Sequence, residues 1–203
     1  MIAIIDSGGA NIASIRFALE RCGAEARLTA DSAEIESADK VILPGVGMAA
    51  TAMTQLHQHG LVECIRGLRQ PVLGVCLGMQ LLFEHSSEGD TEMLGVLAGN
   101  CRRFAAAPGR SVPHMGWNRI RAIDSGKIDS GNRHPLLTDV AEGAHVYFVH
   151  SYFAELSADT IASCDYGEAF TAIAGNGNFM GCQFHPERSG SVGEQILWNF
   201  LAL

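Results

Sequence analysis

The stretch Pro71-Val72-Leu73-Gly74-Val75-Cys76-Leu77-Gly78-Met79-Gln80 decides the fold. Val72 to Val75 is a short apolar run and reads as a buried strand. A run with helical spacing follows, through Leu77, Gln80, Leu81 and Glu84. Cys76 stands between them, with glycine two residues before and two after: Gly-x-Cys-x-Gly, the thiol form of a nucleophile elbow. A strand-to-helix reversal with the nucleophile at its tip strains the backbone, and small flanking residues prevent clashes. The tip lifts the sulfur clear of the sheet. It also sets the sulfur at a helix N-terminus, where the dipole and free N–H groups favour thiolate over thiol. The N–H of Leu77 would face any oxyanion formed beside the sulfur. A lone free cysteine is more often a buried structural residue. The paired glycines and the strand–helix context turn this reading towards a nucleophile.

Outward from the elbow, the N-terminal half alternates strands and helices. Ile2 to Ile5 and Ala24 to Thr29 read as strands, and so does Lys40-Val41-Ile42-Leu43, ended by Pro44-Gly45-Val46-Gly47. Asn11 to Arg21 reads as a helix burying Ile12, Ile15, Phe17, Ala18 and Leu19, and further helices are expected around Met48 to His59 and Leu61 to Arg69. From about Met93 the texture changes to short strands: Asn100 to Phe104, Asn118 to Ala122, Val146 to Val149, Thr160 to Cys164, Phe170 to Ala174 and Phe179 to Phe184. These read as hairpins on one sheet edge, and Gly175-Asn176-Gly177-Asn178 as a hairpin turn. Gly193 to Leu203 closes the chain as a helix. The expected fold is a single α/β domain over residues 1–203, with a mostly parallel central sheet, helices on both faces and added antiparallel hairpins. Sites in such sheets sit at the carboxyl ends of the strands. Asp6 to Asn11, Pro44 to Gly47 and the elbow converge there.

A chain of 203 residues with 47% hydrophobic residues supports a sizeable core. No apolar run approaches the ~20 residues of a membrane span, and the N-terminus has no basic region or cleavage site of a signal peptide. The six cysteines are scattered without any Cys-x-x-Cys pair, which fits a reducing, cytoplasmic setting. A net charge of −8 argues against a non-specific nucleic-acid binder. His57-Gln58-His59 lacks acidic or thiol ligands at metal spacing, and Ser7-Gly8-Gly9 is not a dinucleotide fingerprint. The expectation is no metal and no cofactor.

A cysteine nucleophile needs a base and a group that orients the base. Among eight histidines, His185 closes a strand and is followed by Pro186 and Glu187. If Pro186 holds the chain extended, His185 and Glu187 project to the same side, and the carboxylate holds one ring nitrogen while the other faces sulfur. The expected triad is Cys76–His185–Glu187. The acid lies just after the histidine, which argues against an α/β-hydrolase esterase. Pro44-Gly45-Val46-Gly47 offers flexible backbone for a second oxyanion donor, through Val46 and Gly47, and a backbone rearrangement there would complete the hole. His85, His114 and His134 lie beside loops without a defined partner, and Glu63, Asp90 and Glu92 read as surface carboxylates.

Gly74-Val75-Cys76-Leu77-Gly78-Met79-Gln80 together with Phe184-His185-Pro186-Glu187 resembles the triad-type (class I) glutamine amidotransferases. Leu43-Pro44-Gly45-Val46-Gly47, Pro113-His114-Met115-Gly116-Trp117-Asn118 and Tyr147-Phe148-Val149-His150-Ser151-Tyr152 narrow the likeness to the glutaminase subunits of imidazole glycerol phosphate synthases. The resemblance spans essentially the whole chain. It implies glutamine hydrolysis through a glutamyl thioester on Cys76. The ammonia would pass to a (β/α)8-barrel cyclase partner, as a heterodimer in histidine biosynthesis. It implies glutamine contacts from Gly47, Gln80, Glu88, Ser151 and Tyr152, with Glu88 pairing the α-ammonium and Gln80 and the Ser151 region at the carboxylate end. It places Asn11, Met115, Trp117, Asn118 and Arg188 at the cyclase interface. The sequence departs from the pattern in its first loop, Asp6-Ser7-Gly8-Gly9-Ala10-Asn11, where many relatives read Asp-Tyr-Gly-x-Gly-Asn. It also has Arg188 for lysine and Ser151 for threonine. Three competing readings are a glutaminase feeding an anthranilate or pyridoxal-phosphate synthase, a lone cysteine hydrolase, and a silent interaction subunit. The Pro113 to Asn118 block and the intact triad disfavour them.

Overall fold

The computed structural model describes residues 1–7, 12–123 and 133–203. Asn11, with Gly8, Gly9 and Ala10 of the first loop, lies outside the described residues. The first half runs β1 (Ile2–Ile5), α1 (Ile12–Arg21), β2 (Ala26–Thr29), α2 (Ser32–Ser37), β3 (Lys40–Leu43), α3 (Ala49–Gln58), α4 (Leu61–Gly67) and β4 (Val72–Val75). Then come the elbow helix α5 (Leu77–Gln80), β5 (His85–Ser86), β6 (Thr91–Glu92), β7 (Asn100–Arg103) and β8 (His114–Ala122). The chain continues through β9 (His145–His150), β10 (Tyr152–Ala154), β11 (Thr160–Asp165), β12 (Ala169–Asn176), β13 (Phe179–Cys182) and α6 (Gly190–Leu201).

Among the described residues the main sheet has nine strands in the order β2-β1-β3-β4-β13-β12-β11-β8-β9. β2, β1, β3, β4 and β13 pair in parallel. The rest of the sheet is antiparallel. Because strand side chains alternate between faces, β1 sends Ile2 and Ile4 to one core and Ala3 and Ile5 to the other. The first core is closed by α1 and α6 through Ile15, Leu19, Ile196 and Phe200. The second is closed by α2, α3 and α4 through Ile35, Leu56 and Ile65. The helices therefore cover both faces of the parallel half, as the alternating pattern requires.

Several details differ from the sequence expectations. β7 does not join the edge of the main sheet. It belongs to a second, four-stranded sheet, β10-β7-β5-β6. β13 is an interior strand held parallel to β4, not part of an edge hairpin alone. α2 is an addition, although Asp31 caps it by accepting from the Glu34 N–H at 3.0 Å, an Asp-x-x-Glu signal readable in the sequence. Phe17 is exposed. Ile15, Ala18 and Leu19 define the buried face, and a residue two places from Ile15 points to the opposite side of a helix. The elbow helix does not run to Glu84 but ends after one turn. Leu81, Leu82 and Phe83 are all fully buried, and their carbonyls accept from the N–H groups of Leu94, Gly95, Val96 and Leu97 at 2.9 Å. Those bonds replace the continuation of the helical ladder.

Candidate active site

Cys76 follows β4 directly, at φ 55°, ψ −113°, a backbone conformation seldom adopted by a residue with a Cβ. Two features hold it there. Its N–H donates to the Cys182 carbonyl at 2.8 Å, and its carbonyl accepts from Met79 and Gln80. Glycines provide the room. A Cβ on Gly74 would lie 2.6 Å from the Gly78 carbonyl oxygen, and one on Gly78 would lie 1.8 Å from the Leu43 oxygen. The elbow thus packs backbone to backbone on the end of β3. Gly45 closes the same contact from the other side, where a Cβ would lie 2.7 Å from Gly78 N. Ser7 Oγ donates to the Pro44 carbonyl at 3.1 Å, so the first loop meets the same place.

His185 arrives from β13 and is pinned to β9. Its N–H donates to the Tyr147 carbonyl at 3.0 Å, and Ser189 Oγ donates to its carbonyl at 2.7 Å. The ring Nδ1 and Glu187 Oε1 are 2.8 Å apart, with both side chains buried. The sequence expectation of an extended His-Pro-Glu is not met. Pro186–Arg188 forms a 3-10 turn with proline at its first position, where its missing N–H and fixed φ suit the start of a helical turn. Glu187 therefore reaches back to His185 from within the turn. Burial alone would lower the basicity of the ring. Hydrogen bonds donated by the charged ring to the Cys76 sulfur and to the adjacent Glu187 carboxylate outweigh it and push His185 up to about 10. A ring held on Nδ1 by a carboxylate and directed to sulfur by its other nitrogen is built to carry a proton to and from that sulfur.

Both residues open on a cavity of about 440 Å³, within the range of small-molecule sites. Val46, Gly47, Leu77, Gln80, Glu88, Ser151, Tyr152 and Arg188 also line it. Leu77 is the first residue of α5, where the leading N–H groups have no intrahelical acceptor. Gly47 has φ +95°, the left-handed region that favours glycine. Glu88 Oε2 already accepts from Ala49 N at 2.7 Å, so the carboxylate is braced by the start of α3. Gln80 is buried, and its Nε2 donates to the Tyr152 carbonyl and to Gln183 Oε1, both at 2.8 Å. Its N–H groups are thus committed to the protein, leaving its carbonyl oxygen for other contacts.

Of the remaining predicted residues, Arg188 lines the cavity, while Met115, Trp117 and Asn118 stand on β8 outside its lining. On β8, Met115 is 67% and Trp117 56% exposed, and Asn118 is half-buried. Trp117 is paired with Tyr147, whose carbonyl holds His185. The exposed strand is thus one residue removed from the histidine. Arg188 is exposed at the cavity wall.

Three residues assigned no role from the sequence join the site. Gln183 Nε2 donates to Cys76 Sγ at 3.9 Å. His150 lines the cavity and bonds to His114, which the sequence leaves without a defined partner. The other cysteines are poor rivals for Cys76. All six are free, and burial pushes Cys101 and Cys182 well up, Cys164 up to about 12 and Cys64 up to about 11.

A family model described as glutamine amidotransferase class-I matches residues 3–203. The imidazole glycerol phosphate synthase subunit HisH of Xylella fastidiosa (strain Temecula1) is 51% identical over 202 residues, covering 100% of this chain and 97% of the relative. The protein of the same name from Xanthomonas axonopodis pv. citri is 52% identical with the same coverage. Among solved structures, a glutamine amidotransferase aligns with TM-score 0.73 at 19% identity, covering 99% of this chain and 97% of the other. A glutamine amidotransferase from Thermotoga maritima aligns with TM-score 0.63 at 16% identity, covering 99% of this chain and 82% of the other. These two likenesses speak for the fold. The chain belongs to the class-I glutamine amidotransferase family, among the HisH subunits of imidazole glycerol phosphate synthase.

Proposed function

We propose that this chain hydrolyses glutamine to glutamate and ammonia and delivers the ammonia to a cyclase partner in histidine biosynthesis. The observation that carries the chemistry is the cavity shared by Cys76, on its strained elbow, and His185, braced by Glu187. Cys76 Sγ attacks the side-chain carboxamide carbon, and the carbonyl oxygen takes the charge. The Leu77 N–H and a second N–H from the Val46–Gly47 loop receive that oxyanion. The C–N bond then breaks as His185 gives its proton to the departing nitrogen, leaving a glutamyl thioester and ammonia. Water attacks the thioester, His185 takes a water proton, the C–S bond breaks, and glutamate leaves.

Glu88 meets the α-ammonium, while Ser151, Tyr152, Gln80 and Gly47 hold the rest of glutamine. Met115, Trp117, Asn118 and Arg188 face the partner, a (β/α)8-barrel cyclase that closes the imidazole ring, and Asn11 is assigned to the same face. An exposed tryptophan beside an exposed methionine suits an interface anchor. Among the described residues no helix is long and apolar enough to cross a membrane, and we assign the heterodimer to the cytoplasm. No metal or cofactor enters the reaction as proposed.

The test is covalent. A glutamine-shaped diazoketone, incubated with the complex and followed by peptide mass spectrometry, should label Cys76 and abolish glutamate release in parallel. Labelling of another cysteine with Cys76 untouched would overturn the assignment.

A further inference from the structure

We propose that His114 and His150 are positioning residues of the glutamine site. A one-way hydrogen-bond chain through them fixes the Ser151–Tyr152 corner of the cavity and ties it to the exposed strand bearing Met115 and Trp117. The proposal rests on the reading of that cavity as the glutamine site.

β9 lies in the nine-stranded sheet and β10 in the four-stranded one, so the chain changes sheets at Ser151. Ser151 itself belongs to neither strand. Yet His150, Ser151 and Tyr152 all line the cavity. Their geometry is set by discrete bonds: Phe104 N donates to the Ser151 carbonyl at 3.0 Å, and the Tyr152 carbonyl receives both Gln80 Nε2 and the His150 ring, each at 2.8 Å.

The direction of each bond follows from its neighbour. A carbonyl only accepts, so His150 Nδ1 carries a proton. His150 is buried, which holds the ring neutral and pushes it down to about 3, so its Nε2 bears a lone pair. That nitrogen lies 3.0 Å from His114 Nδ1, which must therefore donate. Burial also pushes His114 down to about 4, so its Nε2 accepts from Asn118 Nδ2 at 3.4 Å. Asn118 is oriented in turn by donating to the Asp165 carbonyl at 2.9 Å. Aromatic packing locks the ring planes. His114 is stacked between Tyr166, at 4.0 Å, and Phe148, at 4.9 Å. From the far end, Gln80 continues through Gln183 to Cys76 Sγ. The pair thus links Asn118, on the inward-facing side of β8, with the cavity rim by bonds that each have one allowed direction.

Two measurements on the complex with cyclase decide the matter. First, nitrogen NMR of the wild-type protein at neutral pH should show His114 and His150 as neutral rings protonated on Nδ1. A ring protonated on Nε2, or charged, would overturn the chain. Second, His150→Phe keeps the ring volume but removes the bond to Tyr152. We expect its KM for glutamine to rise roughly tenfold with kcat nearly unchanged, the loss of one buried hydrogen bond. His150→Asn places an amide N–H near the lost Nδ1 and should recover most of that rise. Equal KM in wild type and His150→Phe, or a fall in kcat alone, would refute a positioning role. If His150→Phe does not fold, His114→Phe takes its place with the same readout. If the wild-type complex releases no glutamate, the glutaminase reading fails, and the NMR result alone decides the histidine chain.

Discussion

Gly78→Ala tests how the elbow and the oxyanion loop depend on each other. The added Cβ would sit 1.8 Å from the Leu43 carbonyl oxygen, against about 3.4 Å for an ordinary contact. The deficit is 3.4 − 1.8, or roughly 1.6 Å, by ordinary Cβ contact distances. The obstacle is backbone on both sides, so no side chain can swing away. Either the elbow rises or the loop after β3 retreats, and that loop carries Val46 and Gly47. A displacement of about 1 Å in a catalytic constellation costs on the order of 10²-fold, and loss of one oxyanion donor costs about 10²–10³-fold. We therefore expect kcat/KM for glutamine to fall at least ~100-fold in the complex. Overpacking of this kind destabilises by roughly 1–3 kcal/mol. That is about 2–12 °C of melting temperature for a chain of this size, so the variant should still fold. Ammonia-dependent synthesis by the partner should persist. Gly67→Ala is the matched control, because nothing lies within 4 Å of its added Cβ. The assay is glutamate release at saturating cyclase ligand, with circular dichroism for folding. A folded Gly78→Ala enzyme with glutaminase activity within about threefold of wild type would show that this contact does not set the oxyanion geometry.

Further outcomes follow from the same geometry. Cys76→Ala should abolish glutamate release while ammonia-dependent ring closure continues, and loss of both reactions would mark Cys76 as structural. Glu187→Gln keeps an acceptor for His185 Nδ1 but loses the charge, so glutaminase activity should fall less than in Cys76→Ala; equal loss would contradict an orienting role. Stability should depend on pH through His185, whose folded value of about 10 lies above its ordinary 6.5. Its contribution is full below pH ~6.5 and is lost as pH rises through about 10. His114 and His150 act on the acid side. Both are depressed, so their contribution is present above pH ~6.5 and is lost as pH falls through about 4 and 3. Chemical denaturation across pH 4 to 10 should give stability falling at both ends, and a profile still rising at pH 9.5 would contradict the sign for His185. Trp117→Ala should weaken binding to cyclase at least tenfold by calorimetry, as expected of an aromatic anchor, and unchanged affinity would remove Trp117 from the interface.

The sequence discloses the parts of the site whose chemistry is local. Gly74, Cys76 and Gly78 are close neighbours in the chain, and their spacing alone dictates a strained turn. His185 and Glu187 are two residues apart, so their partnership is legible even though the backbone between them turns rather than extends. Residues that join the site through strand pairing are not legible. Gln183 reaches Cys76 because β13 lies beside β4, and His150 meets His114 because β9 pairs with β8. Nothing in either segment announces those neighbours. The second sheet is hidden for the same reason, since β10 and β7 are paired across some 50 residues of sequence. The length of α5 is ambiguous because the buried run Leu81-Leu82-Phe83 fits a helix or a packed turn equally well. The contacts with Leu94 to Leu97 decide it.

The most direct test of the account is glutamate release by the purified chain alone, with cyclase, and with cyclase plus its ribonucleotide ligand. Low activity alone that rises strongly in the full mixture is the result that the proposed partner-gated glutaminase predicts. High activity of the isolated chain, unmoved by either addition, would contradict it and mark a free-standing hydrolase.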